Sequence, residues 1–456
     1  AVLRSAIGKS LDARTILSGW DRIFNAKLNS MTDELLALEF QNRSKFSPRS
    51  LALSWEDRSQ GVYDYFRSSG SQNVPDVGNV YQLPRLRPLE LDIALSYLKN
   101  NTNSGLPFIT RKSNCKDLII PNFRGLLDRK DPCVMFTRTQ EDYKTRTVWG
   151  YPIVDTLNEM RFYRPLLSHQ RAKAWRSALV SPEAVDNRIS ALIRKANSEN
   201  LELASLDFSS YDASVKIGLQ RCAFDYIKSL YQTKYHPELD YIFKRFNTIG
   251  LITPSGILSG PHGVPSGSTF TNEVDSIVQY LCAKDYGLSD DNMDVQGDDG
   301  VYAVDNARAL FDHFSSFGLS VNKSKSYIAK DYVVYLQRLH STHYSINGIF
   351  AGVYPTYRAL GRIIYPERYD QYSECGIEGR DFNSIRAISI LENCSHHPLF
   401  EELVKYIAKL DKYQLAYSQQ GLKKYINRFT ESHGVEGIFR YRYGDNLSGL
   451  NSFKTV

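Results

Sequence analysis

The sequence holds no run of roughly 18 apolar residues, so no membrane-spanning helix is expected. Its opening, AVLRSAIGKSLDARTILSGW, lacks the continuous apolar core of a secretory signal, and the chain is read as a soluble intracellular protein. Cysteine is scarce. Six residues (Cys115, Cys133, Cys222, Cys282, Cys375, Cys394) are spread along 456 positions without CxxC spacing, which speaks against a disulfide framework or a structural zinc site and for reduced thiols. Cys394-Ser-His396-His397 has no second Cys/His pair at finger-like spacing. Gly8-Lys9-Ser10 lacks the glycine that a phosphate loop needs five positions earlier, where Leu3 stands. Repeats at solenoid periods and low-complexity tracts are also absent.

Charge of one sign is lacking overall: 56 Lys+Arg against 50 Asp+Glu leave +6, too mild to name a partner. Its distribution says more. Between Arg111 and Arg176 fourteen Lys/Arg face seven Asp/Glu, a local +7 that leaves −1 for the rest of the chain. There the cations alternate with rings, as in FTRTQEDYKTRTVWGYP, and a basic groove lined with aromatics suits a polyanion with stackable bases. A solvated charged face would account for the same composition. With 42% hydrophobic and 23% charged residues the chain is globular in composition, and its length allows two or three subdomains.

Residues 11 to 66 read as amphipathic helical pieces. A loop rich in Gly, Ser and Asn follows, then a helix over Asp92 to Leu98 and a turn cluster, NNTNSGLPF. Ser181 and Pro182 predict a helix start, with Val185, Ile189, Leu192 and Ile193 as its apolar stripe. LELASLDF predicts a strand, and Leu219 to Tyr231 a helix. Gly250 to Gly267 is a loop feeding another helix. MDVQGDDGVYAV predicts a hairpin with short arms around Gly-Asp-Asp-Gly. Beyond Tyr344 the pattern is mainly helical. Strands thus cluster in the middle third, as expected of an α+β protein with a small antiparallel sheet carrying helices on one face.

Two acidic constellations stand at strand ends: Asp207-Phe-Ser-Ser-Tyr-Asp212, and Gly297-Asp298-Asp299-Gly300. A tight turn would leave Asp298 and Asp299 poorly buried and mutually repelling, a costly pair unless a cation sits there. Oxygen ligands select hard divalent cations, and Mg²⁺ is held through one or two carboxylates plus substrate phosphates. Asp207, Asp298 and Asp299 therefore point to metal-dependent phosphoryl transfer, with two ions stabilising the attacking and leaving oxygens. Alone, the Gly-flanked pair would be ordinary turn chemistry. Between the two lies Gly263-Val-Pro-Ser266-Gly267-Ser-Thr-Phe-Thr271-Asn272, whose small residues admit a sugar-phosphate. Thr271 and Asp275 stand one helical turn apart and Asn272 neighbours Asp275 at i+3, a ribose-sized polar cluster.

The order LDFSSYD, GVPSGSTFTN, QGDD resembles motifs A, B and C of viral RNA-dependent RNA polymerases. Thr102-Asn-Ser104-Gly105-Leu-Pro107 is similar to motif G and Lys144-Thr-Arg146-Thr-Val to motif F. Gly318-Leu-Ser-Val-Asn-Lys-Ser-Lys325-Ser is similar to motif D, and Tyr335-Leu-Gln-Arg-Leu to the motif E hairpin. The resemblance spans about 102 to 339, and its wording is nearest to the picobirnavirus and partitivirus polymerases of small double-stranded RNA viruses. It implies a right-hand fold: an N-terminal segment and fingers over 1–149, palm over 150–232 and 259–340, a fingers insertion over 233–258, and a mostly helical thumb over 341–456.

The same resemblance makes Asp207 and Asp298 the principal metal ligands, with Asp299 assisting and Mn²⁺ a substitute for Mg²⁺. It makes Asp212 the sensor of the ribose 2′-hydroxyl, with Ser266, Gly267, Thr271 and Asn272 placing the templating base and sugar. Asp275 stands where positive-strand enzymes often carry Asn, which leaves open the side chain that holds the 2′-hydroxyl. Lys144 and Arg146, joined by Arg138, would meet the incoming triphosphate; Ser104 and Gly105 would lie where the template enters. Lys325, or Lys323 on the same face of an extended segment, would be the general acid. Implied partners are RNA template and product, ribonucleoside triphosphates and a viral capsid protein, in the virion interior and host cytoplasm. A reverse transcriptase is disfavoured by the Ser-Ser-Tyr spacing before Asp212, and a non-catalytic RNA-binding scaffold by the intact aspartates.

Overall fold

The computed structural model describes residues 1–433 apart from 69, 71, 79, 81 and 82, with backbone alone at 429–433; the expected thumb residues 434–456 lie outside the described residues. Among the described residues the strands are β1 (Cys133–Thr139), β2 (Thr145–Gly150), β3 (Glu202–Leu206), β4 (Leu251–Thr253), β5 (Gly256–Leu258), β6 (Met293–Gln296), β7 (Asp299–Val304), β8 (Tyr327–Ala329), β9 (Tyr332–Tyr335) and β10 (Arg338–Ser341).

The central sheet has the order β6-β7-β3-β8 and is antiparallel throughout. Leu203, Ala204, Ser205 and Leu206 of β3 are all buried, so both faces of the sheet must be covered. On one face Ala204, Leu206, Val295 and Tyr302 pack against the helices Ile217–Leu230, Thr271–Tyr286 and Ala307–Ser316. On the other, Leu203, Val301 and Ala303 meet the helix Pro182–Glu199 and the β9–β10 hairpin. The expectation of helices on one face is therefore corrected: continuous burial along β3 requires cover on both. The Pro182–Glu199 helix starts where its residues dictate, with Ser181 Oγ accepting from the Ala184 N–H at 3.0 Å.

The acidic hairpin is tighter than its sequence suggests. Gln296 pairs with Asp299, leaving only Gly297 and Asp298 in the turn, and Gly297 takes φ +63, the left-handed region glycine tolerates. Asp299 thereby becomes the first residue of a strand instead of a turn residue.

A second sheet, β2-β1-β4-β5, carries the basic segment: Arg138 stands opposite Arg146 across β1 and β2, and β4 joins β1 in parallel. The N-terminal helices go elsewhere. Ile16, Trp20, Phe24, Leu35 and Leu38 share a core with Tyr357, Leu360, Ile363, Ile388 and Leu403, so the helices Ala13–Asn25 and Asp33–Arg43 belong with the C-terminal helical body. An amphipathic stripe shows that a helix needs an apolar partner, not which one. Residues 44–54 then run back as a strap to the β1–β2 hairpin. There the Asp142 N–H donates to Ser47 Oγ at 2.9 Å and the Leu53 N–H to Thr145 Oγ1 at 2.9 Å.

Candidate active site

Strand register brings the two acidic elements together. Leu206 pairs with Gly300, so Asp207, the next residue, emerges beside Asp298 and Asp299. The 322–326 loop fixes its backbone: the Asn322 N–H donates to the Asp207 carbonyl at 2.8 Å, and the Asp207 N–H donates to Ser326 Oγ at 3.1 Å. Burial, with Asp298 nearby, raises the Asp207 pKa, while Lys325, Lys144 and Asn322 oppose the rise. Asp298 is exposed at the turn. Asp299 is more enclosed, and burial followed by the charges of Asp298 and Asp207 pushes its pKa up to about 7. Asp207 and Asp299 thus lie in the negative field of Asp298, which disfavours ionisation of both.

The helix Thr271–Tyr286 straps the hairpin tip in place. Ser276 Oγ accepts from the Gly297 N–H at 2.8 Å, and Gln279 Nε2 donates to the Gly297 carbonyl at 2.7 Å. Asn272 Oδ1 lies against the same turn, 2.9 Å from where a Cβ on Gly297 would stand. At the start of the helix the loop presses on β2: Ser266 Oγ donates to the Thr147 carbonyl at 2.9 Å, and any side chain at Gly267 would collide with the Trp149 carbonyl. Thr271 Oγ1 is engaged within the loop, donating to the Pro265 carbonyl at 2.7 Å. Asp212 and Asp275 form a hydrogen-bonded acid pair. Burial raises both, Asp275 furthest, because the proton it keeps serves Asp212 as acceptor. Asp275 Oδ1 is buried without a hydrogen-bond partner among the described residues.

The predicted cations divide. Lys325 and Lys144 both act on Asp207. The Lys144 pKa is lowered by burial and by Arg146, Lys325 and Lys45. Arg146 acts on Asp212. Arg138 is held apart by Glu367, its Nε lying 2.8 Å from Oε1 and its second guanidinium contact 3.3 Å from Oε2. Ser104 is wholly buried, with Oγ accepting from the Thr110 N–H at 3.1 Å, and Gly105 at φ +62 packs on Tyr151. That loop braces the start of the helix Ile153–Gln170 through the Ile153 N–H donating to the Ser104 carbonyl at 2.8 Å.

Sequence reasoning passed over Glu159. On the helix Ile153–Gln170 it is buried, Ser268 Oγ donates to it at 2.5 Å and the Thr269 N–H at 3.2 Å, and so it anchors the Ser266 loop from beneath. A signal was present: Asp155, Asn158 and Glu159 recur at helical spacing on a face otherwise lined with Phe162 and Leu166. Burial raises the Glu159 pKa to about 8. Between its ordinary 4.5 and about 8 the unfolded chain has lost a proton that the folded chain keeps, so stability falls as pH rises through that window. Glu159→Gln, with the Ser268 hydroxyl turning to accept from the amide, should remove this slope, at most about 1.4 kcal/mol per pH unit. Thermal unfolding of both proteins from pH 5 to pH 8 should show the variant gaining on wild type as pH rises; parallel curves would exclude a buried neutral acid.

Residues 127–397 match the family described as viral RNA-dependent RNA polymerase. The chain is 28% identical over 454 residues to a potential RNA-dependent RNA polymerase of Human picobirnavirus (strain Human/Thailand/Hy005102/-), covering 92% of this chain and 84% of that protein. It is 26% identical over 308 residues to an RNA-directed RNA polymerase of Cryptosporidium parvum virus 1 (strain KSU-1), covering 59% and 55%. Among solved structures, the crystal structure of the RNA-dependent RNA polymerase of a human picobirnavirus is similar at TM-score 0.83 and 25% identity, over 100% of this chain and 93% of that one. The mixed architecture with its antiparallel central sheet is that of a right-hand fold.

Proposed function

The chain belongs to the viral RNA-dependent RNA polymerases, and on that premise we propose that it copies RNA by two-metal-ion nucleotidyl transfer, replicating and transcribing a viral RNA genome. The observation that carries the mechanism is the β3–β7 register, which sets Asp207 beside Asp298 and Asp299 with Lys144 and Lys325 close by. Among the described residues no group of three or more His, Cys, Asp or Glu is gathered to hold an ion on protein ligands alone. The crowded carboxylates fit Mg²⁺, or Mn²⁺ in its place, which keeps water and substrate phosphates in its shell. Bound there, the ions would supply charge stabilisation to the attacking 3′-hydroxyl and the leaving pyrophosphate.

Asp207 and Asp298 are the residues to hold the ions, with Asp299 behind them. Lys144 and Arg146 receive the triphosphate, and Arg138 joins them on leaving Glu367. Lys325 protonates the departing pyrophosphate. At the sugar, a 2′-hydroxyl reaches Asp212, which Asp275 supports from behind; Asn272 lines the same corner, and Thr271 braces the loop. Ser266 and Gly267 bring backbone close to the template base. The loop of Ser104 and Gly105 borders the template's way in.

The division into palm at 150–232 and 259–340 is supported by the central sheet, which those segments build. Fingers at 1–149 and 233–258 are supported by the joining of β4 and β5 to β1, and the thumb at 341–456 by its helical core, on which the helices of the N-terminal segment pack. Work in the virion interior and host cytoplasm, beside a capsid protein, rests on the resemblance to picobirnavirus polymerases.

The test is extension of a short RNA template with labelled nucleotides and Mg²⁺. Template-directed incorporation of ribonucleotides over deoxyribonucleotides is expected. A preference for deoxyribonucleotides would replace this reading with reverse transcription, and no incorporation even with Mn²⁺ and a primer would replace it with an RNA-binding scaffold.

A further inference from the structure

We infer that Lys45, on the strap after the N-terminal helices, is a third cation for the polyphosphate of the substrate and product, alongside Lys144 and Lys325. The inference rests on the polymerase reading above and names a residue that none of the motifs contains.

Two contacts pinch Lys45 between the loops of the other two lysines. Gln41 hydrogen-bonds the Tyr327 side chain, two residues beyond Lys325. The Asp142 N–H, two residues before Lys144, donates to Ser47 Oγ at 2.9 Å. Lys45 thus lines a crevice between the thumb helix Thr356–Ile364, represented by Tyr357 and Arg358, and the fingers residue Glu141. Its pKa is lowered by burial and by Lys325 and Arg358, against the pull of Glu141 and Asp142.

Neither acid is free to neutralise it. Glu141 is 3.3 Å from Arg49 and 3.6 Å from Arg358, and Asp142 is engaged with Ser47. Among the described residues the Lys45 ammonium has no hydrogen bond or ion pair. A half-buried cation beside like charges is unfavourable until an anion arrives. The position says which anion. Lys144 and Lys325 act directly on Asp207, while Lys45 is pinched between the loops of both and shares their field. A nucleotide whose α-phosphate reacts at Asp207 extends its β- and γ-phosphates in that direction, and the leaving pyrophosphate is the same group after the bond breaks.

The probe is inorganic pyrophosphate with Mg²⁺, its binding measured by calorimetry on the full chain, with nucleotide KM, kcat and RNA affinity measured in parallel. Lys45→Gln should weaken pyrophosphate binding and raise nucleotide KM, each about tenfold, with kcat within about threefold and RNA affinity unchanged. Lys45→Arg should restore most of the loss. Equal pyrophosphate binding by wild type and Lys45→Gln, no binding by wild type, or lost RNA affinity with pyrophosphate binding intact would each overturn the assignment. Pyrophosphate binds without turnover, which keeps the two readings apart. Lys45-dependent binding by a protein that incorporates nothing would sink the polymerase mechanism alone, and Lys45-independent binding by an active enzyme would sink the third cation alone.

Discussion

Asp298→Asn should lower ribonucleotide incorporation by about a thousandfold or more while RNA binding and thermal stability stay near wild type. The reasoning is local. Asp298 is exposed in a two-residue turn whose backbone is held by Ser276 and Gln279, so the shape of the hairpin does not depend on the carboxylate. The substitution keeps size and one oxygen, and removes the negative charge that a hard cation needs. It also relieves repulsion on Asp207 and Asp299, both of which Asp298 raises, so the pKa values of its neighbours should fall. Loss of activity without loss of fold would place Asp298 in the chemistry. Rates within about tenfold of wild type would remove it from the metal site.

Much of this site could be read from residue order because its parts are local. Asp207 ends a strand that its own residues specify, and Gly297 to Gly300 announce their turn through glycine. What could not be read is which distant residues complete each part. LELASLDF announced a strand but not burial on both of its faces; the cover on the second face comes from the helix Pro182–Glu199 and from a hairpin beyond residue 330. The two-residue turn depended on Gln296 pairing with Asp299, a register set by packing on Ser276 and Gln279 and not by turn propensity. Trp20 and Phe24 advertised an apolar stripe without naming Tyr357 and Leu360 as its partners, so the packing of the N-terminal segment on the C-terminal helices was not legible from the stripe. Arg138 illustrates the same limit for charge. Its place opposite Arg146 follows from a hairpin, but its engagement by Glu367 is a contact across 229 positions that no local pattern encodes.

The second large effect concerns a pair that no motif contains. Arg176 and Glu273 are wholly buried and joined by two hydrogen bonds of 2.7 Å each, and Arg176 also reaches Gln296 at 3.4 Å. Glu273 follows Asn272 on the helix that carries the sugar-side residues, and Gln296 precedes the Gly297-Asp298 turn. The guanidinium therefore ties that helix to the acidic hairpin. Trp175, stacked on Tyr280 at 4.0 Å, and Ser177, whose hydroxyl donates to Asp294 at 2.6 Å, fix the segment that delivers it. Glu273→Gln leaves the Arg176 charge buried and uncompensated, and should cost about 3–5 kcal/mol in denaturant unfolding. Replacing both partners by apolar groups of similar volume, Arg176→Met with Glu273→Leu, removes the orphaned charge and should recover most of that stability. Recovery of activity should lag behind, because Gln296 has then lost its contact with Arg176 and the turn holding Asp298 has lost a tie to the sugar-side helix. A single variant within about 1 kcal/mol of wild type would show that the pair is not the brace described, and a double variant as active as wild type would show that the turn is held by Ser276 and Gln279 alone.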